Sequence, residues 1–87
     1  MDRIERDVRD FVVDNFLFGD DKTLTNAESF LESGIIDSTG VLELVGFLES
    51  RYNVTVEDHE LVPANLDSVN QVVRFVTEKL QGQALAS

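Results

Sequence analysis

Asp37-Ser38 is the pair in this chain whose residue types and placement can do chemistry. The run Gly34-Ile35-Ile36 before it has no helical periodicity, and directly after it Val41, Leu44, Val45, Leu48 and Tyr52 recur at helical spacing. Asp37 therefore reads as an N-cap, its carboxylate accepting from the free backbone N–H groups of the next turn. Ser38 falls in the first turn, at the positive end of the helix dipole, directed to water. A hydroxyl held there is suited to carry a negatively charged substituent, because helix N-termini attract phosphate. Taken alone, a serine in this place is more often a helper of the cap. Nothing else in the chain builds a catalytic set. His59 is the single histidine, there is no cysteine, and no Ser/His/Asp or metal-ligand spacing can be assembled. Asp20 and Asp21 lack the spacing and closing glutamate of a calcium loop, which leaves an acidic turn. The expectation is a protein that is modified and recognised, not an enzyme, with no metal.

Composition narrows the partners. The 87 residues suit one domain with a small core, and they carry 17 acids against 7 bases, a net charge of −10. Phosphate backbones need cationic contacts, so nucleic acid is an unsuitable partner and basic protein surfaces are favoured. The imbalance peaks between positions 37 and 67, where Arg51 is the single base. No apolar run is long enough for a bilayer, and the N-terminus is charged from Asp2 onward, unlike a signal peptide. A monomeric cytoplasmic protein that does not enter membranes is the expectation.

The elements that must position Ser38 are helical. Ile4, Val8, Phe11, Val12 and Phe16 make one apolar stripe, predicting a helix over 2–16 that ends at Gly19-Asp20-Asp21. Arg3, Arg6 and Arg9 are interleaved with acids and read as a solvated, ion-paired face. Between positions 17 and 37 a long loop is expected to be ordered, pinned by Phe30 and Leu31, with one helical turn over 26–31 capped by Asn26. A second long helix spans 38–52, with Glu43 and Glu49 exposed, Phe47 at the edge of the core, and Asn53 ending it. Gly40 and Gly46 each weaken it by up to about 1 kcal/mol relative to alanine. Gly40 also leaves room beside Ser38, either for a partner or without consequence. Val54-Thr55-Val56 has no partner strand and reads as an extended connection. Positions 61–66 predict a short third helix of about a turn, or an irregular apolar bridge, with Pro63 near its start. The last helix is capped by Asp67 or Ser68, with Ser68 to Gln71 matching a capping box, buries Val69, Val72, Val73, Val76 and Leu80, and ends at Gly82. The fold class is thus all-α, a small four-helix bundle with three longer helices, one short third helix and a long loop between the first two. The domain covers 1–81 and a flexible tail 82–87.

Asp37-Ser38, followed by Glu43-Leu44-Val45 and Leu48-Glu49 on an acidic amphipathic helix in mid-chain, resembles the prosthetic-group site of acyl carrier proteins. The order and spacing of the helices extend the resemblance from about Ile4 to Leu80. It implies that a phosphopantetheinyl transferase moves 4′-phosphopantetheine from coenzyme A to Ser38, flanked by Asp37. An acyl-loading ligase or acyltransferase would charge the arm, and enzymes of fatty-acid, polyketide or related biosynthesis would dock through basic patches. Glu43, Glu49, Thr39 and Gly40 are the implied partner contacts. Val45, Val62 and Leu66 are candidates to line an acyl groove between the second long helix and 54–66. Where the family usually has leucine and then a polar or acidic residue after the serine, Thr39 and Gly40 stand here. That change points to a specialised carrier with its own loading enzyme. The competing reading from another class is a non-covalent acidic helical adaptor that binds a basic partner.

Overall fold

Helix α1 (Arg3–Phe16) turns its stripe inward, with Val8, Val12 and Val13 buried and Ile4, Phe11 and Phe16 packed at the core's edge. The computed structural model describes residues 3–19 and 24–86, so Asp20 and Asp21, expected to finish the turn after α1, lie outside the described residues. Helix α3 (Ser38–Tyr52) and helix α5 (Val69–Ala86) are the other long elements, and single turns form α2 (Phe30–Ser33) and α4 (Pro63–Leu66). A 3₁₀ turn at Asp58–Glu60 precedes α4. The chain is all-α as expected, with three long helices, and the segment over 54–56 is an extended connection with Val54 buried.

The core gathers Val8 and Val12 of α1, Leu44 and Leu48 of α3, and Val69, Val72 and Val76 of α5, together with Phe30 and Ile36 from the loop. Helix α1 packs on α5, and α5 on α4. The valines of α5 are poor helix formers, and their burial is what holds them in a helix. Phe47 stacks on Phe11 with ring centroids 4.3 Å apart and meets Tyr52 edge-on, so it is the core-edge residue its position predicted. The Tyr52 hydroxyl donates to Asp7 Oδ2 at 2.9 Å, and Arg51 pairs with the same oxygen at 3.3 Å.

Three expectations are corrected. The helical turn in the first loop is Phe30–Ser33, capped by Ser29, whose hydroxyl accepts from the Glu32 N–H. Asn26 does not cap it. Its side chain accepts from Arg9 Nη1 at 2.6 Å and donates to Glu5 at 2.9 Å, and its carbonyl accepts from the Asn70 N–H at the start of α5. These partners from two long helices outweigh a local cap. Phe30 is fully buried as expected, but Leu31 is largely exposed and is no anchor. Gly82 does not end the last helix: α5 runs on to Ala86 and Gly82 keeps negative φ. One glycine costs about 1 kcal/mol in a helix, too little to break one already anchored by its buried face.

The predicted terminators elsewhere hold. Asn53 closes α3 in the left-handed conformation, and the Ser68 hydroxyl accepts from the Gln71 N–H at the start of α5.

Candidate functional site

The site begins where the chain turns from Ile36 into α3. Ile36 is buried and its N–H donates to the Phe30 carbonyl, which fixes the approach to the helix. Asp37 has extended backbone, and its Oδ1 accepts from the Gly40 N–H at 2.7 Å, the N-cap bond the sequence predicts. Ser38 is then the first residue of a 15-residue helix, exposed, with Thr39 exposed beside it.

An apolar groove of about 280 Å³ opens next to Ser38. Val41 and Leu42 of α3 form one wall and Leu61, Val62, Pro63 and Leu66 the other, with Leu31 and Asp67 completing the lining. Leu42, Leu31 and Val62 are 61%, 45% and 40% exposed, so apolar surface surrounds the groove where Ser38 stands. Asp67 organises this region. Its carbonyl accepts from the Phe30 N–H at 2.7 Å, and its carboxylate accepts from the Leu31 N–H at 3.1 Å and from the Ser29 hydroxyl. The turn carrying Leu31 is thereby tied to the α4–α5 junction.

The candidate residues fall in different places. Val62 and Leu66 line the groove, and Leu66 is also part of the core. Val45 does not line it: its side chain is turned into the core with Leu44 and Leu48. Glu43 is exposed but flanks a separate concavity with Phe11, Asn15 and Phe47. Glu49 is not the free surface acid expected from its place off the stripe. It is half-buried, and its carboxylate accepts from the Val56 N–H at 2.9 Å, holding the extended connection against α3. Gly40 is buried, and the room left by its missing side chain is taken up by Ile36 and Phe16, which leaves it no surface to offer a partner. Leu31, Val41, Leu42, Leu61, Pro63 and Asp67 join the lining beyond the residues expected there. Leu42, apolar yet off the buried stripe of its helix, was the available sequence signal.

This arrangement fits an arm joined through phosphate. The hydroxyl is exposed, the helix dipole favours negative charge at that end, and apolar surface lies within the same groove for what the arm carries. Among the described residues no group of His, Asp and Glu could hold a metal ion, and no helix is long and apolar enough to cross a membrane.

No protein-family model matches the chain. Among curated proteins it is similar to the D-alanyl carrier protein of Streptococcus suis (strain 98HAH33), 36% identical over 62 residues, 71% of this chain and 78% of the relative. The D-alanyl carrier proteins of Streptococcus thermophilus (strain CNRZ 1066) and Streptococcus sanguinis (strain SK36) are 34% and 32% identical over equal lengths of both chains.

Proposed function

The chain belongs to the acyl carrier protein family, and on that premise we propose that Ser38 is its attachment point for 4′-phosphopantetheine. It is a carrier and not an enzyme. The observation that carries the proposal is Ser38 exposed at the capped start of α3, on the lining of an apolar groove. When bound, the arm supplies a terminal thiol that holds the cargo as a thioester. The chain's own residues present and recognise. Asp37 holds the first turn closed by its bond to the Gly40 N–H, and Ser38 offers its hydroxyl at the positive end of the helix. Leu42, Leu31 and Val62 give apolar contact around it, and Glu43 offers charge to a basic partner. Tethering raises the effective concentration of cargo at a docked enzyme.

The cargo we favour is a short aminoacyl group, the D-alanyl group named in its relatives, in place of a fatty-acid or polyketide chain. Asp67 supports this choice: it is the sole charged residue lining a groove that is apolar apart from Ser38, and a carboxylate there suits an ammonium better than an alkyl chain. The partners are a phosphopantetheinyl transferase and an aminoacyl-loading ligase, in the cytoplasm.

The test is intact mass after incubation with coenzyme A and a phosphopantetheinyl transferase, followed by the mass of cargo on protein isolated from cells. Wild type should gain the arm, and Ser38→Ala should gain nothing while melting close to wild type. An alanine variant that still gained the arm would place the site elsewhere. A wild type that never gained it would favour the non-covalent adaptor.

A further inference from the structure

Gly40 sits two residues after Ser38, buried in the first turn of α3. Its φ is not in the left-handed region, so its backbone conformation does not require glycine. The space does. A Cβ at this position would lie 2.8 Å from Ile36 Cγ2, 2.8 Å from Phe16 Cε1 and 3.3 Å from Asp37 Oδ1. The first two distances are shorter than carbon atoms tolerate, so something must move.

What moves determines the consequence. Phe16 is half-buried at the end of α1 and packs edge-on against Phe11 with ring centroids 6.0 Å apart, so its ring edge yields only in part. Ile36 is 1% exposed, and its Cγ2 branches directly from Cβ, so that methyl cannot retreat without a change of rotamer or backbone. The residue after Ile36 is Asp37, whose Oδ1 accepts the Gly40 N–H at 2.7 Å. A side chain at position 40 therefore pushes against the anchor and the cap oxygen that together set the start of the helix. Ser38 lies between the two ends of that cap.

We infer that Gly40 is a positioning residue for the modification of Ser38. Its bare Cα lets the first turn of α3 seat on Ile36 and Phe16 with the Asp37 cap closed, and this seating sets the direction in which the Ser38 hydroxyl meets the transferase. The glycine acts from beneath the site and touches no partner. The inference rests on the reading of Ser38 as the attachment point.

The experiment is the initial rate of arm transfer from coenzyme A, followed by intact mass at a temperature where melting curves show every variant folded. Gly40→Ala should lower kcat/KM at least about tenfold, since misplacement by about an ångström can cost a hundredfold. Gly46→Ala, in open space on the same helix, should load like wild type. Ile36→Leu keeps the volume but removes the branch at Cβ, so Gly40→Ala/Ile36→Leu should recover part of the lost rate. General destabilisation would not be repaired in this directed way. Loading of Gly40→Ala at the wild-type rate overturns the inference, and so does a loss that Ile36→Leu leaves unchanged. If Gly40→Ala does not fold, the comparison is the double variant against Ile36→Leu alone. The Phe16 contact remains in the double variant, so it should load more slowly, and equal rates overturn the inference. A wild type that never gains the arm instead refutes the attachment reading.

Discussion

The carboxylate of Glu60 accepts from Lys79 Nζ at 2.7 Å and from the Glu57 N–H at 2.9 Å. The bond from Lys79 first, and the backbone donor second, hold this carboxyl below the usual glutamate range. A folded-state value below the unfolded one contributes stability that is present above the unfolded value, about 4.3. That contribution is lost as pH falls through the folded value. Lys79→Met should therefore destabilise the protein at neutral pH by about 1 kcal/mol or less, as expected for a pair not fully buried. Urea unfolding of both proteins along a falling pH series should show the gap closing below about pH 4.3. A gap that stayed constant into acid would assign the effect to the lost contact of the Lys79 ammonium with the Phe75 ring, 5.8 Å from its centroid. Tyr52 responds in the opposite sense: burial and the Asp7 carboxylate raise its hydroxyl well above the ordinary tyrosine value.

At the scale of elements, the groove is built from pieces that could not stand alone. A single helical turn is far below the length at which a helix is stable in water, so α2 and α4 exist through what they are tied to. For α2 the tie is Asp67, which accepts from Phe30, Leu31 and Ser29. For the 3₁₀ turn and α4 the ties are the Glu60–Lys79 pair and the bond from Asn65 Nδ2 to the Glu60 carbonyl. The long helix opposite has a different weakness. Gly46 lies exposed in the middle of α3 with nothing within 4 Å of where a Cβ would stand. Gly46→Ala should therefore raise stability by about 0.5–1 kcal/mol, by restricting the unfolded chain and suiting the helix. Denaturant midpoints measure this, and a neutral or lowered midpoint would show that helix propensity at position 46 does not limit stability.

The whole molecule carries −10 charges. The ion pairs among the described residues join Arg51 to Asp7 and Lys79 to Glu60. Most of the acids are thus uncompensated, and folding brings them closer together. Added salt shortens the reach of that repulsion to about 10 Å at 0.1 M. The melting temperature should rise as sodium chloride is added from low ionic strength. Removing charge should act unevenly within the run 57–60. Glu57→Gln and Asp58→Asn should raise the melting temperature at low salt, whereas Glu60→Gln should gain less or lose, because Lys79 is left without its carboxylate. A melting temperature flat across the salt series would show that self-repulsion does not limit stability.

Periodicity and capping are local, and whatever depended on them was legible in the sequence. The 3.6-residue stripe placed α1, α3 and the buried face of α5. Asp37 declared the start of α3 and Asn53 its end, because each needs only neighbours a few positions away. Ser38 could be placed at an exposed first turn on the same grounds. The resemblance placed a groove between α3 and 54–66 with Val62 and Leu66 on it, but its full lining, which adds residues 31, 41–42, 61, 63 and 67, was not legible, because packing alone joins these distant parts of the chain. The same distance explains the other surprises. Asn26 left its expected cap for Arg9, Glu5 and Asn70, and Glu49 left solvent for the Val56 N–H. Val45 could be assigned to a stripe but not to core or groove, which share one apolar pattern. Gly40 looked permissive from its neighbours and proved confined by Phe16, twenty-four positions earlier in the numbering. The sequence by itself determined where the helices run, their caps and the placement of the serine, because local hydrogen bonds and hydrophobic spacing suffice for these. The full lining of the groove, the seat beneath Gly40 and the pairing of Glu60 were decided by tertiary structure, because each depends on which distant atoms fill the adjoining space.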